Sequence, residues 1–197
     1  MRQDERERLM AEIAELLTTR TVQMADGTMT NDVFRYTDLA YTQRELREVF
    51  AAADLLEDDF QITADVWSVT SFTELRRDGL ESERWNRLHP LQPARSSHLA
   101  DCIAGDAPVI AATDYVRAVP QLIASYIQPR YTVLGTDGFG RSDTRIALRK
   151  FFEIDRHHIV VAALASLAAQ GACDGKLCAD AIAYYGIDPE AAASWEC

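Results

Sequence analysis

Three short apolar runs, each closed by a polar or glycine-rich turn and separated by helical patterns, constrain this chain most. Phe60 to Thr70 (FQITADVWSVT) is rich in β-branched and aromatic residues at near-alternating spacing, which predicts a strand. Pro108 to Ala112 (PVIAA) ends in Thr113-Asp114, and Tyr131 to Leu134 (YTVL) ends in Gly135-Thr136-Asp137. Continuous apolar runs of this length fit strands buried on both faces of a parallel sheet. Strands that alternate with helices predict an α/β fold with a mostly parallel sheet flanked by helices.

The helical patterns are of uneven clarity. From Gln43 to Leu56, Leu46, Val49, Phe50, Ala53 and Leu56 share one face, with Arg44, Glu45, Arg47 and Glu48 opposite. Further helices are expected around Ser97 to Ile103, and from Tyr115 to Ile127 with a break at Pro120. Ser142 or Asp143 should cap a helix running to Phe152. Asp155 should cap Arg156 to Gln170, with Gly171 as its stop, and Asp174 a last helix ending at Gly186. Leu9, Ile13, Leu16 and Leu17 predict an amphipathic helix up to about Thr18. Thr19 to Thr42 reads as turn-rich, with a short strand near Thr21 to Met24. These patterns divide the chain into a divergent N-terminal segment (1–42), a domain (43–191) and a tail (192–197).

Composition narrows the function. The 197 residues carry 20 Lys+Arg against 31 Asp+Glu, a formal net charge of −11. No basic face for a nucleic acid is apparent, and no apolar run approaches the ~20 residues of a membrane span. The expectation is a soluble, cytoplasmic protein. Cys173 and Cys178, separated by four residues, could form half of a zinc site, but no second pair at ligand spacing completes it. Packed thiols are the favoured reading.

The most pointed local feature is Leu134 to Asp143 (LGTDGFGRSD), in which Gly135, Gly138 and Gly140 fall within six residues between a strand and a helix. Such a loop can offer backbone N–H groups to an anion, with Arg141 and Ser142 beside them. Asp137 and Asp143 oppose that, and the spacing matches neither the Walker loop nor the dinucleotide fingerprint. A tight structural turn is favoured over an anion site. Asp114 and Asp137 stand just past strand ends, where open α/β sheets bind ligands; simple helix starts are favoured. His89, His98, His157 and His158 form no set with a nucleophile. Trp67 is placed in a strand, and Trp85 in an irregular Arg-rich loop where it anchors a partner or covers the sheet edge.

Several of these strings are more specific than their spacing. SVTSFTELRRDG (Ser68 to Gly79), ERWNRLHP (Glu83 to Pro90), TDY (Thr113 to Tyr115), LGTDGFGRSD and VVAALASLAAQG (Val160 to Gly171), in this order, resemble the C-terminal domain of homodimeric-type pyruvate dehydrogenase, the first component of its complex. The wider likeness is to the transketolase C-terminal domain, and it covers about Arg44 to Ala191. The resemblance implies a sheet of about five mostly parallel strands. It implies a parent enzyme that joins glycolysis to pyruvate metabolism: pyruvate is decarboxylated and the acetyl group passed to lipoyl, with thiamine diphosphate and magnesium. In that family the cofactors and catalytic histidines belong to preceding domains, so no catalytic, cofactor-binding or metal residue is carried onto this chain.

Two readings follow. In the first, the chain is an assembly and dimer-stabilising part of such an enzyme, inactive alone, whose partner is the thiamine-binding domains or chain, or a second copy. In the second, it is a free-standing binding module with an anionic ligand at Gly135, Gly138, Gly140, Arg141 and Ser142. The family's first strand, which ends in a Gly-Ser-Gly-like turn, has no evident counterpart before Arg44. It is missing, displaced to Thr21 to Met24, or replaced.

Overall fold

The computed structural model describes residues 34–38, 46–103 and 105–196. Four strands form one parallel sheet in the order β2-β1-β3-β4: β1 (Phe34–Asp38), β2 (Ala64–Ser68), β3 (Val109–Ala112) and β4 (Tyr131–Leu134). The helices are α1 (Leu46–Phe60), α2 (Phe72–Leu88), α3 (His98–Cys102), α4 (Arg145–Phe151), α5 (Arg156–Gln170) and α6 (Gly175–Tyr184). A 3₁₀ helix spans Pro120–Tyr126.

The expected α/β class and parallel sheet hold, but the described residues build four strands where the resemblance implied about five. The helix expected before Thr18 and the strand expected near Thr21 to Met24 lie outside the described residues. A strand not expected there, β1, lies inside the stretch read as turn-rich. It pairs Tyr36 with Val66 on one side and with Ile110 on the other. A strand held between two parallel neighbours draws its hydrogen bonds from residues distant in sequence, so local patterning need not announce it.

The sheet is covered on both faces. Ile110 and Ala112 face Val49, Ala52 and Leu56 of α1, and Ile159, Ala163 and Leu164 of α5. Val109 points the other way, against Phe72 and Leu75 of α2, Leu99 of α3, and Ile123. Consecutive residues of β3 thus serve opposite cores, and all four are buried. The continuous apolar run PVIAA is the sequence image of that double burial.

Several helix boundaries need correction. Glu83 to Leu88 is not a loop: it is the C-terminal part of α2, which Ser71 caps by accepting from the Glu74 N–H at 3.3 Å. The buried face of α2 carries Asp78, Gly79 and Ser82 after Phe72 and Leu75, so its apolar stripe fades halfway along. Asp78 accepts from the His98 N–H at 2.7 Å, and Ser82 donates to the Ser96 carbonyl at 3.1 Å. Polar groups satisfied this way serve as core-facing residues. Trp85 is held internally. Its ring stacks on His89 at 3.7 Å, and the Arg95 guanidinium lies 3.3 Å from its centre.

The helix expected from Tyr115 to Ile127 is only the 3₁₀ segment, opened by Pro120. The cap of α4 is Thr144, whose Oγ1 accepts from the Ala147 N–H at 3.3 Å. Asp143 accepts from the Thr144 N–H instead, at 2.7 Å. Asp155 and Gly171 bound α5 as expected; Asp155 accepts from the His157 and His158 N–H groups, and Gly171 takes φ 76°. Asp174 caps α6, which stops at Tyr184.

Candidate functional site

The C-terminal ends of β3 and β4 carry the glycine-rich loop, and its first half is tied to neighbouring chain. Thr136 donates its N–H to the Tyr115 carbonyl at 3.0 Å and its hydroxyl to the Asp114 carbonyl at 3.1 Å. Asp137 accepts from the Arg117 N–H at 3.1 Å and pairs with the Arg117 guanidinium at 3.2 Å. The same guanidinium lies 4.6 Å from the centre of the Trp195 ring, and Ser194 donates to the Asp137 carbonyl at 2.8 Å. Ser194 is buried.

Two glycines are required by this knot. A Cβ on Gly135 would stand 2.8 Å from the Tyr115 carbonyl oxygen. Gly138 has φ 115°, and its Cβ would run into the Ser194 backbone. Both strain and collision oppose a side chain there. Gly138→Ala should cost about 1–3 kcal/mol by overpacking, read as a lower midpoint in urea. An unchanged midpoint would show that Ser194 does not pack on the loop.

The second half of the loop is open. A cleft of about 610 Å³ lies between Gly138–Arg141 and α4. Asp114, Phe139, Arg141, Asp143, Arg145 and Arg149 are on its walls. The structure therefore brings Gly138, Gly140 and Arg141 to one cleft, while Gly135 and Ser142 do not line it. The Arg141 guanidinium lies 4.6 Å from the centre of the Phe151 ring. Arginines face two carboxylates here, which weakens the pull on an anion.

Arg149 is already engaged by Glu48, which sequence reasoning placed on the outer face of α1. The Glu48 carboxylate accepts from Arg149 Nη1 at 3.2 Å. It also accepts from Arg156 Nε and Nη2, each at 3.0 Å, and from the Arg156 backbone N–H at 3.1 Å. The Arg156 hydrogen bond holds the Glu48 carboxyl below the usual range, against burial. These partners lie 101 and 108 residues apart in sequence, so no local signal could have found them.

His157, His158, Cys173 and Cys178 have structural partners. His158 bonds Asp155 at 2.9 Å, and His157 stacks on Tyr185 at 4.5 Å. Cys173 and Cys178 donate to the Leu164 and Val161 carbonyls of α5 at 3.6 and 3.8 Å. Burial pushes both thiols up. Among the described residues no group of three or more His, Cys, Asp or Glu could hold a metal ion.

Residues 37–155 match the family described as "Transketolase-like TK C-terminal domain". The chain belongs to this family. The match takes in the C-terminal ends of all four strands and the glycine-rich loop, while Ser194 and Trp195 lie beyond it. The pyruvate dehydrogenase E1 component of Pseudomonas aeruginosa is 58% identical over 147 residues, 74% of this chain. That of Escherichia coli K12 is 50% identical over 146 residues, also 74% of the chain. The chain spans only 17% and 16% of the length of these two relatives. A solved structure titled as a split-gene transketolase, an inactive β4 tetramer, is similar at a TM-score of 0.46 and 19% identity. That likeness covers 71% of this chain and 40% of the other.

Proposed function

We propose that this chain is the C-terminal part of a thiamine-diphosphate-dependent pyruvate dehydrogenase. It is not catalytic alone and serves to assemble the enzyme and stabilise its dimer. The reading rests on one observation: 58% identity that spans only 17% of the relative's length. The family match, residues 37–155, begins inside β1, which is an interior strand of the sheet, so the domain proposed here starts before residue 43. The proposed setting is the cytoplasm; no described helix is long and apolar enough to cross a membrane. In this reading thiamine diphosphate and its magnesium belong to the preceding domains of the enzyme. No step of the decarboxylation is assigned to this chain.

The test is isolation from the native source under mild conditions, followed by the mass of the complex. A thiamine-binding chain present in equal number supports the assembly role. The chain running alone, or decarboxylation of pyruvate by the pure chain, overturns it.

The second reading, a binding module for an anion, is favoured by one observation: Arg141, Arg145 and Arg149 reach the same cleft. Titration with inorganic phosphate tests it. Arg141→Ala should weaken binding about tenfold, the loss expected for one charge-assisted hydrogen bond. Equal affinity removes Gly135, Gly138, Gly140, Arg141 and Ser142 from consideration as a ligand site.

A further inference from the structure

On the opposite side of the sheet from Glu48, one thiol differs from its neighbours. Cys173 and Cys178 spend their S–H groups on helix carbonyls. Cys102 faces an imidazole. Its Sγ lies 3.4 Å from His98 Nε2 and 3.9 Å from Nδ1, one turn away on α3. His98 in turn follows the Ser97 cap, and its backbone N–H is held by the carboxylate of Asp78 at 2.7 Å.

The pair borders a small pocket. It measures about 30 Å³ and is lined by Trp67, Val69, Leu75 and Leu99 as well as His98 and Cys102. A volume of that size admits a water or a molecule little larger. Trp67 is among its lining residues. His98 and Cys102 both line it, so a small polar guest there would meet the pair.

We propose that Cys102 and His98 form a thiol–imidazole pair that makes Cys102 a site of oxidation by small, uncharged hydroperoxides. The proton passes from Sγ to the imidazole, which leaves a thiolate. The sulfur attacks the near peroxide oxygen, so an S–O bond forms and the O–O bond breaks. The leaving hydroxide takes the imidazolium proton and departs as water. Cys102 is oxidised to the sulfenic acid and the peroxide is reduced.

The experiment uses the full 197-residue chain. It is exposed to hydrogen peroxide, trapped with dimedone, and the labelled peptides are weighed. Cys102 should label at least tenfold faster than Cys173 and Cys178. It should also label faster in the folded chain than in urea, whereas the other two label more slowly when folded. His98→Gln should reduce Cys102 labelling about tenfold, with the melting transition retained. Cys102 reacting no faster folded than unfolded overturns the proposal. So does an unchanged rate in a folded His98→Gln chain. The comparison within the native chain decides the matter even if the variant unfolds.

Discussion

Replacing Gly79 with alanine destabilises the chain by about 2 kcal/mol, within the range for overpacking a filled core. In an exposed helix interior the same change would gain up to ~1 kcal/mol from propensity. Here the sign reverses, because α2 rests its Gly79 face on a ring. A Cβ at Gly79 would stand 2.6 Å from Cε1, Cε2 and Cζ of Tyr126. Tyr126 closes the 3₁₀ helix, and Ile123 of that segment is fully buried in the same core. To make room the ring must swing away from its packing against that core. Removing the ring should therefore relieve the collision. Gly79→Ala in a Tyr126→Ala background should cost markedly less than in the natural chain, as neighbouring sites in contact do not add. Urea unfolding of the four chains measures this. Strictly additive losses would show that α2 and the 3₁₀ helix do not press on each other at this point.

Gly79 also marks where sequence reasoning stopped. The β-branched run at Phe60 to Thr70 and the apolar runs at Pro108 and Tyr131 were legible because burial writes itself into composition. Asp155 and Gly171 were legible because caps are local chemistry. The C-terminal half of α2 was not. Its inward residues are Asp78, Gly79 and Ser82, and each is accommodated by a partner from elsewhere: a backbone N–H, a ring and a carbonyl. β1 failed for a related reason, as its hydrogen bonds come from β2 and β3. At the candidate site the glycine spacing was visible, but the use of each glycine was not. Gly135 and Gly138 are needed by backbone approaching from residues 115 and 194, and only Gly140 stands in open space. The string resemblance reached the family because it reads many such distant constraints at once.

Glu48→Ala should cost about 3 kcal/mol, the order expected when one partner of a buried charge cluster is removed. Arg149 carries most of that loss. Its side chain is 16% exposed, so water screens its pairing with Glu48 little. The guanidinium of Arg156 is 43% exposed and contributes less, since water screens it. Its backbone N–H matters separately. It is among the first donors of α5, and Glu48 supplies both its acceptor and a negative charge at the positive end of that helix. Glu48→Gln keeps the shape and an acceptor oxygen but no charge, so it should lose roughly half as much. The two variants also predict a pH dependence. The folded Glu48 carboxyl sits below the ordinary value of 4.5, chiefly through the Arg156 hydrogen bond. The unfolded chain therefore takes up this proton first as pH falls. The stability owed to Glu48 is complete above pH 4.5 and is lost as pH drops through the lower, folded value. The gap between natural chain and Glu48→Gln should be widest near pH 7 and close at strongly acidic pH. A gap that stays constant from pH 7 to 3 would mean that Glu48 holds α1, α4 and α5 together by shape and not by charge.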